Sequence, residues 1–475
     1  MDREKMYYKL INFFKELSAV PRNSKHEDKI AEYLCDFAKQ RNLWYRKDEH
    51  NNVLIKKKAS LGYESKNTIL FQAHTDMVCV KTEDSNHDFS KDPIEIIEQD
   101  EILKAKDTSL GADDGIGVAF LMLLLDEKDL KLPRIECLFT TEEEIGMNGA
   151  RDFDYLDIEA RYLINLDGEE ENTAIVGCAG GISIEYTRED EIREYLGKRA
   201  FTLDISGLYG GHSGVDIDKG RINSNYLAAR LLKEIKDIEI ISWKGGTKDN
   251  AIANRTSIIF ATATDNPIDY MNNIIENLDI TDEDAGMLVS VHENKKKAKF
   301  MSISNKNSID VLKLILNLKQ DVIEWSKDVS GLVETSGNIG VVNISDGKIK
   351  IIESLRSSID SKKDSIKDYN NEIAKSLGFK ISEYGAYPGW KYNKNSKLEK
   401  IYIEAYKANH NGNDPIICAI HAGVECGMIF EKLPYLDMIS LGPDVEDVHT
   451  VNETLYLKSC KTLLNTLLDM IKNLV

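Results

Sequence analysis

A chain of 475 residues is too long for one ordinary hydrophobic core, so we expect at least two domains. Its 42% hydrophobic and 30% charged residues are typical of a soluble globular protein. Its formal net charge of -19 disfavours binding to nucleic acid and to anionic membrane surfaces, although solubility alone is a sufficient reason for that charge.

The first 185 residues alternate between helical and strand patterns. Segments 4–20 and 26–42 have the periodicity of amphipathic helices, and the apolar run 115–127 predicts a buried helix. Apolar, β-branched segments predict four strands, at 51–58, 67–73, 134–140 and 161–167. Such alternation favours an α/β sheet with helices on both faces.

The middle of the chain, from 186 to 385, mixes charged helices with alternating strands and predicts a separate α+β domain. Its clearest helix lies at 223–237, and its clearest strands lie at 255–265 and 348–358. From 386 onward the patterns of the first region return. We therefore predict one discontinuous domain, residues 1–185 and 386–475, with the middle region inserted into it.

Membrane spans, export signals and disulfides are not expected. No apolar stretch approaches the roughly 20 residues that a membrane helix needs, and the charged N-terminus lacks the architecture of a signal peptide. Seven scattered cysteines without a C-x-x-C pair indicate free thiols in a reducing compartment. We therefore expect a cytoplasmic protein without a membrane partner.

The segment FQAHTDMV, residues 71–78, ends an apolar strand pattern with His74 and Asp76. Both side chains are costly to remove from water. One interpretation is a polar strand end that reaches solvent. The other is a histidine that binds metal, oriented through its second ring nitrogen by the aspartate. Taken alone, H-x-D is a weak indication of a metal site.

Two further motifs carry paired acids. In SLGADDGIGVA, Asp113 and Asp114 lie between glycines at the start of a predicted helix; one aspartate would suffice to cap that helix, so the pair indicates a further role. In LFTTEEEIGMNGA, three glutamates directly follow a strand. They form either a solvated charged face or a site in which Glu143 and Glu144 divide the roles of base and metal ligand.

Asp167 closes the strand pattern 161–167, and His449 lies in an acidic loop after another strand. Ligands in open α/β sheets bind beyond the carboxyl ends of the strands, where we expect these groups to meet. A lone histidine is usually not a ligand. Together, however, two histidines and several carboxylates supply enough nitrogen and oxygen for two divalent cations.

The order of these motifs identifies a family. The chain resembles the aminoacyl-histidine dipeptidases, also called Xaa-His or cytosol non-specific dipeptidases, which are co-catalytic zinc peptidases related to carnosinases and aminoacylases. The resemblance covers nearly the whole chain and rests on these motifs: LSAVPRNSKHEDKIAEYL, HTDMV, GADDGIGVA, EEIGMNGA, NLDGEE, GCAGG, GHSGVDI, AIHAGVECG and SLGP with the later HT. AIHAGVECG in particular is similar to the dipeptidase branch.

The resemblance implies a fold and a metal site. The fold would be a zinc-exopeptidase-like α/β domain, with a mixed sheet flanked by helices, plus an inserted α+β lid at 186–385. Two zinc ions per subunit would be bound, with cobalt or manganese as alternatives. The implied ligands are His74, Asp113 as the bridge, Glu144, Asp167 and His449. All of these positions carry the family's residue.

The resemblance also implies catalytic and substrate-binding residues. Asp76 would tune the site around His74, and Glu143 would be the general base for the attacking water. In the lid, His212 would stabilise the substrate oxyanion. Asn250 and Arg356 would contact the polar ends of a small peptide, although a surface salt bridge is an equally good interpretation of Arg356.

The function implied is metal-dependent hydrolysis of dipeptides, including Xaa-His, by a zinc metallodipeptidase. Within enzymes, the alternative is an N-acyl amino acid deacylase or a tripeptidase with the same metals. A catalytically silent binding protein is a second alternative, which the complete ligand set disfavours. An Asp-rich phosphoesterase would need basic phosphate-binding loops, and the sequence has none near the acids. The sequence leaves a homodimer open.

Overall fold

The computed structural model describes residues 2–295, 301–329 and 331–474. The chain forms two compact units. The first contains Met1–Cys178, Trp390–Ala419 and Val424–Val475, and the second contains Ala179–Gly389 and Ile420–Gly423. Among the described residues, no helix combines the length and the apolarity that a membrane crossing requires.

The N-terminal part of the first unit alternates helices and strands in the order predicted. Its elements are α1 (Arg3–Leu17), α2 (Asp28–Gln40), β1 (Trp44–Lys47), β2 (Val53–Lys57), β3 (Ile69–His74), β4 (Ile96–Gln99), β5 (Ile102–Ala105), α3 (Ala112–Asp126), β6 (Ile135–Thr140), α4 (Asn148–Asp152), β7 (Tyr162–Asn165) and β8 (Thr173–Cys178).

The second unit is richer in strands. Its elements are β9 (Gly180–Glu189), β10 (Ile192–Glu194), β11 (Arg199–Ser206), β12 (Gly211–His212), α5 (Ser224–Leu232), β13 (Glu239–Gly245), β14 (Ala251–Ile252), β15 (Thr256–Thr262), α6 (Pro267–Glu276), β16 (Leu288–Glu293), β17 (Met301–Ile303), α7 (Asn305–Asn317), β18 (Asp321–Trp325), β19 (Val333–Ser345), β20 (Lys348–Ser357), α8 (Asp360–Ser376) and β21 (Lys380–Tyr387).

The C-terminal part of the chain completes the first unit. Its elements are α9 (Lys397–Asn409), β22 (Ile416–Ile420), α10 (Glu425–Lys432), β23 (Asp437–Ser440), β24 (Val445–Glu446), β25 (Thr454–Tyr456) and α11 (Leu457–Leu474).

The first unit is built on an eight-stranded mixed sheet in the order β1-β2-β6-β3-β7-β23-β8-β22. Its centre is parallel, since β3 pairs in parallel with β6 and β7, and β7 pairs in parallel with β23. All side chains of β3 and β6 are buried, as expected for strands covered on both faces. Helix α3 is buried from Gly115 to Leu125 and contacts α1 and β3. The predicted α/β fold with a mixed sheet and flanking helices is confirmed.

The second unit is an α+β structure with its own apolar core. Its main sheet is antiparallel, in the order β16-β11-β15-β13-β19-β20-β9-β21, with β18 paired to β19. Side chains from this sheet and from α5, α7 and α8 form one buried cluster around Trp243 and Tyr186.

The limits of the two units differ in detail from the predicted domain limits. The predicted limits after 185 and 385 fall inside β9 and β21, which belong to the sheet of the second unit. The segment Ile420–Gly423 also belongs to the second unit, although it lies far beyond 385 in the sequence. The catalytic and lid roles of the two regions remain predictions.

Candidate metal centre

The carboxyl ends of three parallel strands deliver most of the acids and one histidine. His74 is the last residue of β3 and lies opposite Thr140, the last residue of β6. Glu143 and Glu144 follow β6 after a short turn, and Asp167 follows β7. Because neighbouring parallel strands end at the same edge of a sheet, these side chains converge on one place.

His74 is buried and its two ring nitrogens have different neighbours. Nε2 lies 2.9 Å from Asp113 Oδ1 and 3.4 Å from Asp167 Oδ1. Nδ1 lies 3.1 Å from the main-chain oxygen of Asp76 and 3.5 Å from its Oδ1. Asp76 therefore fixes the orientation of the ring from the side opposite to the carboxylates, as a carboxylate does for a metal-binding histidine.

Asp113 lies between the two histidines. Its Oδ1 faces His74, and its Oδ2 lies 3.1 Å from His449 Nε2. His449 Nε2 also lies 2.9 Å from Glu144 Oε2. One group of three potential ligands joins His74 with Glu143 and Glu144. Two further groups are His74 with Asp113 and Asp167, and Asp113 with Glu144 and His449. Asp113 is common to the latter two groups.

This set of donors fits a pair of divalent cations. It contains only imidazole nitrogens and carboxylate oxygens, which zinc, cobalt and manganese accept. Without a cation, each of these acids makes ionisation of its neighbours less favourable. Burial, with a contribution from Asp113, raises the pKa of Asp167 to about 6, and His74 counteracts part of this rise. Burial would also raise the pKa of Asp113, but hydrogen bonds to His449 and His74 outweigh it and lower that pKa.

The two adjacent aspartates have different partners. Asp114 is fully buried; its Oδ1 accepts a hydrogen bond from the main-chain N–H of Gly117 at 3.1 Å, and its Oδ2 accepts one from that of His74 at 3.1 Å. Asp114 therefore satisfies a main-chain donor in the first turn of α3, as a capping residue does, and joins this turn to the end of β3. Asp114 thus has the contacts of a capping residue, whereas Asp113 has those of a potential metal ligand.

Asp76 holds the glutamate segment as well as His74. Its Oδ1 accepts a hydrogen bond from the main-chain N–H of Glu143 at 3.0 Å, and its Oδ2 accepts one from Ser24 Oγ at 2.8 Å. Glu143 lies beside His74 and Glu144, with potential ligand atoms within 4.8 Å of one another. Burial, helped by the nearby acids Asp167 and Glu425, raises the pKa of Glu143 well above its usual range, against the effect of His74.

A carboxylate that the sequence analysis missed anchors the loop before α3. The buried Glu453 accepts hydrogen bonds from four consecutive main-chain N–H groups, those of Leu110 and Gly111 on Oε2 and those of Ala112 and Asp113 on Oε1, at 2.7–3.3 Å. The Asp113 backbone is thus fixed by a residue 340 positions away in sequence. Only the three-dimensional structure reveals this contact.

We expect Glu453→Gln to lower the free energy of unfolding by roughly 2–6 kcal/mol, because the amide –NH2 leaves two buried N–H groups without an acceptor. Denaturant unfolding of the variant and the wild type measures this difference. Glu431→Gln, at an exposed carboxylate, is the matched control. A change below about 0.5 kcal/mol in Glu453→Gln would mean that the four contacts contribute little.

A buried polar network lies behind the ligand-bearing strand ends and was also missed. Gln72 Nε2 on β3 donates to Glu425 Oε2 at 2.5 Å, Thr140 Oγ1 on β6 donates to the same oxygen at 2.7 Å, and Asn165 Nδ2 on β7 donates to Gln72 Oε1 at 2.7 Å. Burial raises the pKa of Glu425 to about 8, against the effect of His74. The network ties together the three strands that lead to the ligands.

Arg22 is a further residue that the sequence analysis missed. It is buried and donates hydrogen bonds to the main-chain oxygens of Thr75, Asp76 and Gly111. It therefore joins the segment after β3 to the loop before α3. The surrounding segment, PRNS, contains no sequence pattern that indicates this role.

The three predicted substrate contacts lie in the second unit. His212 is half-buried, and its Nδ1 accepts hydrogen bonds from the main-chain N–H groups of Gly214 and Val215 at 3.2 Å, which places the ring proton on Nε2. Asn250 is exposed, next to β14. Arg356 on β20 is buried and donates to Tyr387 Oη at 2.6 Å. The roles of all three stay predictions.

The comparison with protein families decides the affiliation. The model of peptidase family M20/M25/M40 matches residues 70–473. The chain belongs to this peptidase family. It is therefore a hydrolase of peptide bonds, and the family's matched segment includes all the residues of the candidate metal centre.

Individual relatives of this M20/M25/M40 peptidase agree with that result. The chain is 34% identical to the cytosol non-specific dipeptidase of Escherichia coli (strain K12) over 98% of this chain and 97% of that protein. It superimposes with a TM-score of 0.93 on the crystal structure of aminoacylhistidine dipeptidase from Vibrio alginolyticus, at 32% identity over 98% of this chain and 96% of that one. The resemblance inferred from the motifs is confirmed.

A more distant structure shares the fold alone. Aminopeptidase PepT from Bacillus cereus has a TM-score of 0.57 at 17% identity, over 98% of each chain.

Proposed function

We propose that this M20/M25/M40 peptidase hydrolyses dipeptides, Xaa-His among them, with the aid of two bound zinc ions. The observation that supports this most strongly is Asp113, whose two carboxylate oxygens face His74 and His449 and so belong to two adjoining ligand groups. Relatives at 34% and 32% identity over almost the whole chain are dipeptidases by name, which favours dipeptides over the alternatives, N-acyl amino acids and tripeptides.

Each ion would have its own side-chain ligands. His74, Asp113 and Asp167 would hold one, and Asp113, Glu144 and His449 would hold the other. When bound, the pair supplies a Lewis acid that acidifies water and polarises a carbonyl group. Nitrogen and oxygen donors without cysteine also suit cobalt and manganese, so metal analysis of the purified protein decides among the three.

The protein's own side chains would move the protons. Glu143 accepts a proton on its carboxylate from the attacking water and donates it to the leaving amine. Asp76 keeps His74 in one orientation and, through its bond to the Glu143 N–H, keeps the base in place. In the second unit, His212 carries its ring proton on Nε2, which suits it to donate to a developing oxyanion.

The predicted location is part of the proposal. We place the enzyme in the cytoplasm, because the described residues contain no disulfide bond and because the Escherichia coli relative is named as a cytosolic protein.

A substrate panel tests the proposal. We expect kcat/KM for Ala-His to exceed that for Gly-Gly-Gly and for an N-acetyl amino acid by about 100-fold or more, because buried polar groups left unpaired by the wrong substrate are costly. β-Ala-His measures tolerance of a longer N-terminal residue. A chelator should abolish activity, and zinc should restore it.

Other outcomes have clear meanings. Preference for the N-acetyl amino acid or the tripeptide would replace the dipeptidase assignment by the corresponding alternative. A preparation that binds no divalent cation and hydrolyses nothing would support a silent binding protein.

A further inference from the structure

Two buried carboxylates bind the main chain of the glutamate turn that follows β6. The N–H of Glu143 donates to Asp76 Oδ1 at 3.0 Å, and the N–H of Glu144 donates to Asp76 Oδ2 at 3.3 Å. The N–H of Glu142 donates to Oε1 of Glu27 at 3.1 Å. Three consecutive N–H groups thus have carboxylate acceptors, and the third acceptor comes from a residue 115 positions earlier in the chain, at the start of α2.

Glu27 is buried without a positive charge beside it. It is 2% exposed, and no basic side chain among the described residues lies within ion-pair distance of its carboxylate. Burial, with a contribution from Asp76, raises the pKa of Glu27 to about 7, against the hydrogen bonds that it accepts from main-chain N–H groups, that of Glu142 first. A carboxyl group is costly to remove from water unless other donors replace the water. Main-chain donors, including one of the glutamate turn, provide that replacement here.

Glu142 has a left-handed backbone conformation. Its φ is 53°, a region that residues with a Cβ atom rarely adopt. Contacts on both sides hold it there, since its N–H donates to Glu27, its carbonyl accepts from the N–H of Asn148 at 3.2 Å, and its Oε2 accepts from Asn148 Nδ2 at 2.8 Å. With a negative φ at Glu142, the chain would leave β6 in another direction and carry Glu143 away from His74.

The segment that carries Glu27 supports the same turn at a second point. It is PRNSKHE, residues 21–27, which belongs to one of the family motifs. Ser24 Oγ donates to Asp76 Oδ2 at 2.8 Å, and the guanidinium of Arg22 donates to the main-chain oxygen of Asp76 at 3.4 Å. The segment therefore contacts Asp76 and supplies Glu27, so it holds both carboxylates that bind the glutamate turn.

We propose that Glu27 is a positioning residue of the general base: its carboxylate keeps Glu142 in the left-handed conformation that directs Glu143 to the attacking water. This inference rests on the proposed function, since it takes Glu143 as the base. Glu27 belongs to none of the potential ligand groups among the described residues, so it acts through the turn. Its contribution should appear in kcat rather than in KM, because a general base acts in the transition state.

Four variants separate the acceptor from the volume of the side chain. Glu27→Leu keeps a similar volume but offers no acceptor to the N–H of Glu142. Glu27→Gln keeps an acceptor oxygen at the same distance along the side chain. Glu27→Asp is shorter by one methylene and withdraws the carboxylate from that N–H, so it provides the test if Glu27→Leu does not fold. Glu32→Leu, at an exposed glutamate of α2, is the matched control.

The first measurement is steady-state hydrolysis of Ala-His together with elemental analysis. We expect Glu27→Leu to lower kcat by roughly 10- to 100-fold and to change KM by less than about 3-fold, because a small displacement of a catalytic group is that costly. Glu27→Asp should show a smaller loss of the same kind, and Glu27→Gln and Glu32→Leu should stay within about 3-fold of wild type. Two cations should bind to each variant at saturating zinc, since Glu144 keeps its own contact with Asp76.

The second measurement is a double-mutant cycle with Glu142→Gly. Glycine adopts a positive φ without steric cost, so the turn depends less on Glu27 in this background. We expect Glu27→Leu, or Glu27→Asp in its place, to lower kcat by less than about 3-fold there. Glu101→Gly replaces an exposed glutamate that also has a positive φ, 62°, and should leave the loss caused by Glu27→Leu unchanged. A general loss of stability would not distinguish these two glycine backgrounds.

Several results would overturn the inference. Equal losses in Glu27→Leu and Glu27→Gln, a loss confined to KM, or the loss of a cation would each mean that Glu27 does not position the base. The same is true of a loss that is as large in the Glu142→Gly background as in the wild type. If Glu143→Ala is inactive while Glu27→Leu and Glu27→Asp match the wild type, this inference fails and the proposed function stands. If the wild type hydrolyses no dipeptide, the proposed function fails and this inference with it.

Discussion

Glu143→Ala is expected to lower kcat for dipeptide hydrolysis by roughly 100- to 10,000-fold, because it removes the group that takes the proton of the attacking water. Both cations should stay bound, because the two ligand groups that share Asp113 do not include Glu143. Steady-state kinetics and elemental analysis on the same preparation measure the two quantities. Glu83→Ala, at an exposed carboxylate, should change neither.

The two adjacent glutamates can be told apart by the same measurements. Glu144→Ala should lose a cation together with activity, since Glu144 lies 2.9 Å from His449 in one of the ligand groups. If Glu143→Ala instead loses metal in parallel with activity, the assignment of base and ligand must be exchanged. Similar metal loss in both variants would mean that neither glutamate is the base.

Asp113→Asn is expected to bind at most one cation per chain and to lose more than about 100-fold in activity. Mutation of a residue that only orients a metal ligand lowers activity by up to about 100-fold. The loss for Asp113 should be larger, because Asp113 itself belongs to both ligand groups. Because a bound ligand stabilises the folded state, zinc should raise the Tm of the wild type more than that of the variant. Elemental analysis and thermal unfolding with and without zinc test this.

Two neighbouring carboxylates provide the controls for Asp113. Asp129→Asn, on the surface, should bind two cations and melt like the wild type. Asp114→Asn should lower the Tm, because one of the two N–H groups that Asp114 satisfies loses its acceptor, while two cations remain bound. Two cations bound to Asp113→Asn at wild-type affinity would contradict the bridging role.

The sequence predicted those parts of the centre that follow from strand and helix patterns. His74 and Asp167 are recognisable because each comes at the end of an apolar run, and parallel pairing then brings such ends together. The paired aspartates indicated a further role because one aspartate is enough to cap the start of a helix. The position of His449 depended on the resemblance, since a single histidine in an acidic loop has no periodic context.

Other features could not be read from local patterns. Glu453 and Arg22 act on main-chain groups of distant segments, which any sequence can offer, so no residue pattern marks them. Residues 420–423 return to the second unit after the chain has resumed the patterns of the first, and this hid the hydrogen bond between Ser336 and His421. The predicted limits fell inside β9 and β21 because strand alternation continues across them without a change in composition.

The separation of 336 positions between Asp113 and His449 dictates when the centre matures during biosynthesis. At about 5–20 residues per second, a ribosome needs roughly 20–70 s to make the intervening polypeptide. During that interval the nascent chain can present His74, Asp113 and Asp167, but neither the second imidazole nor the carboxylate of Glu453 has been made. In the proposed two-metal site, the ligand group of Asp113, Glu144 and His449 is therefore the last to be completed, and a chain that ends upstream of 449 contains only the group of His74, Asp113 and Asp167 in full.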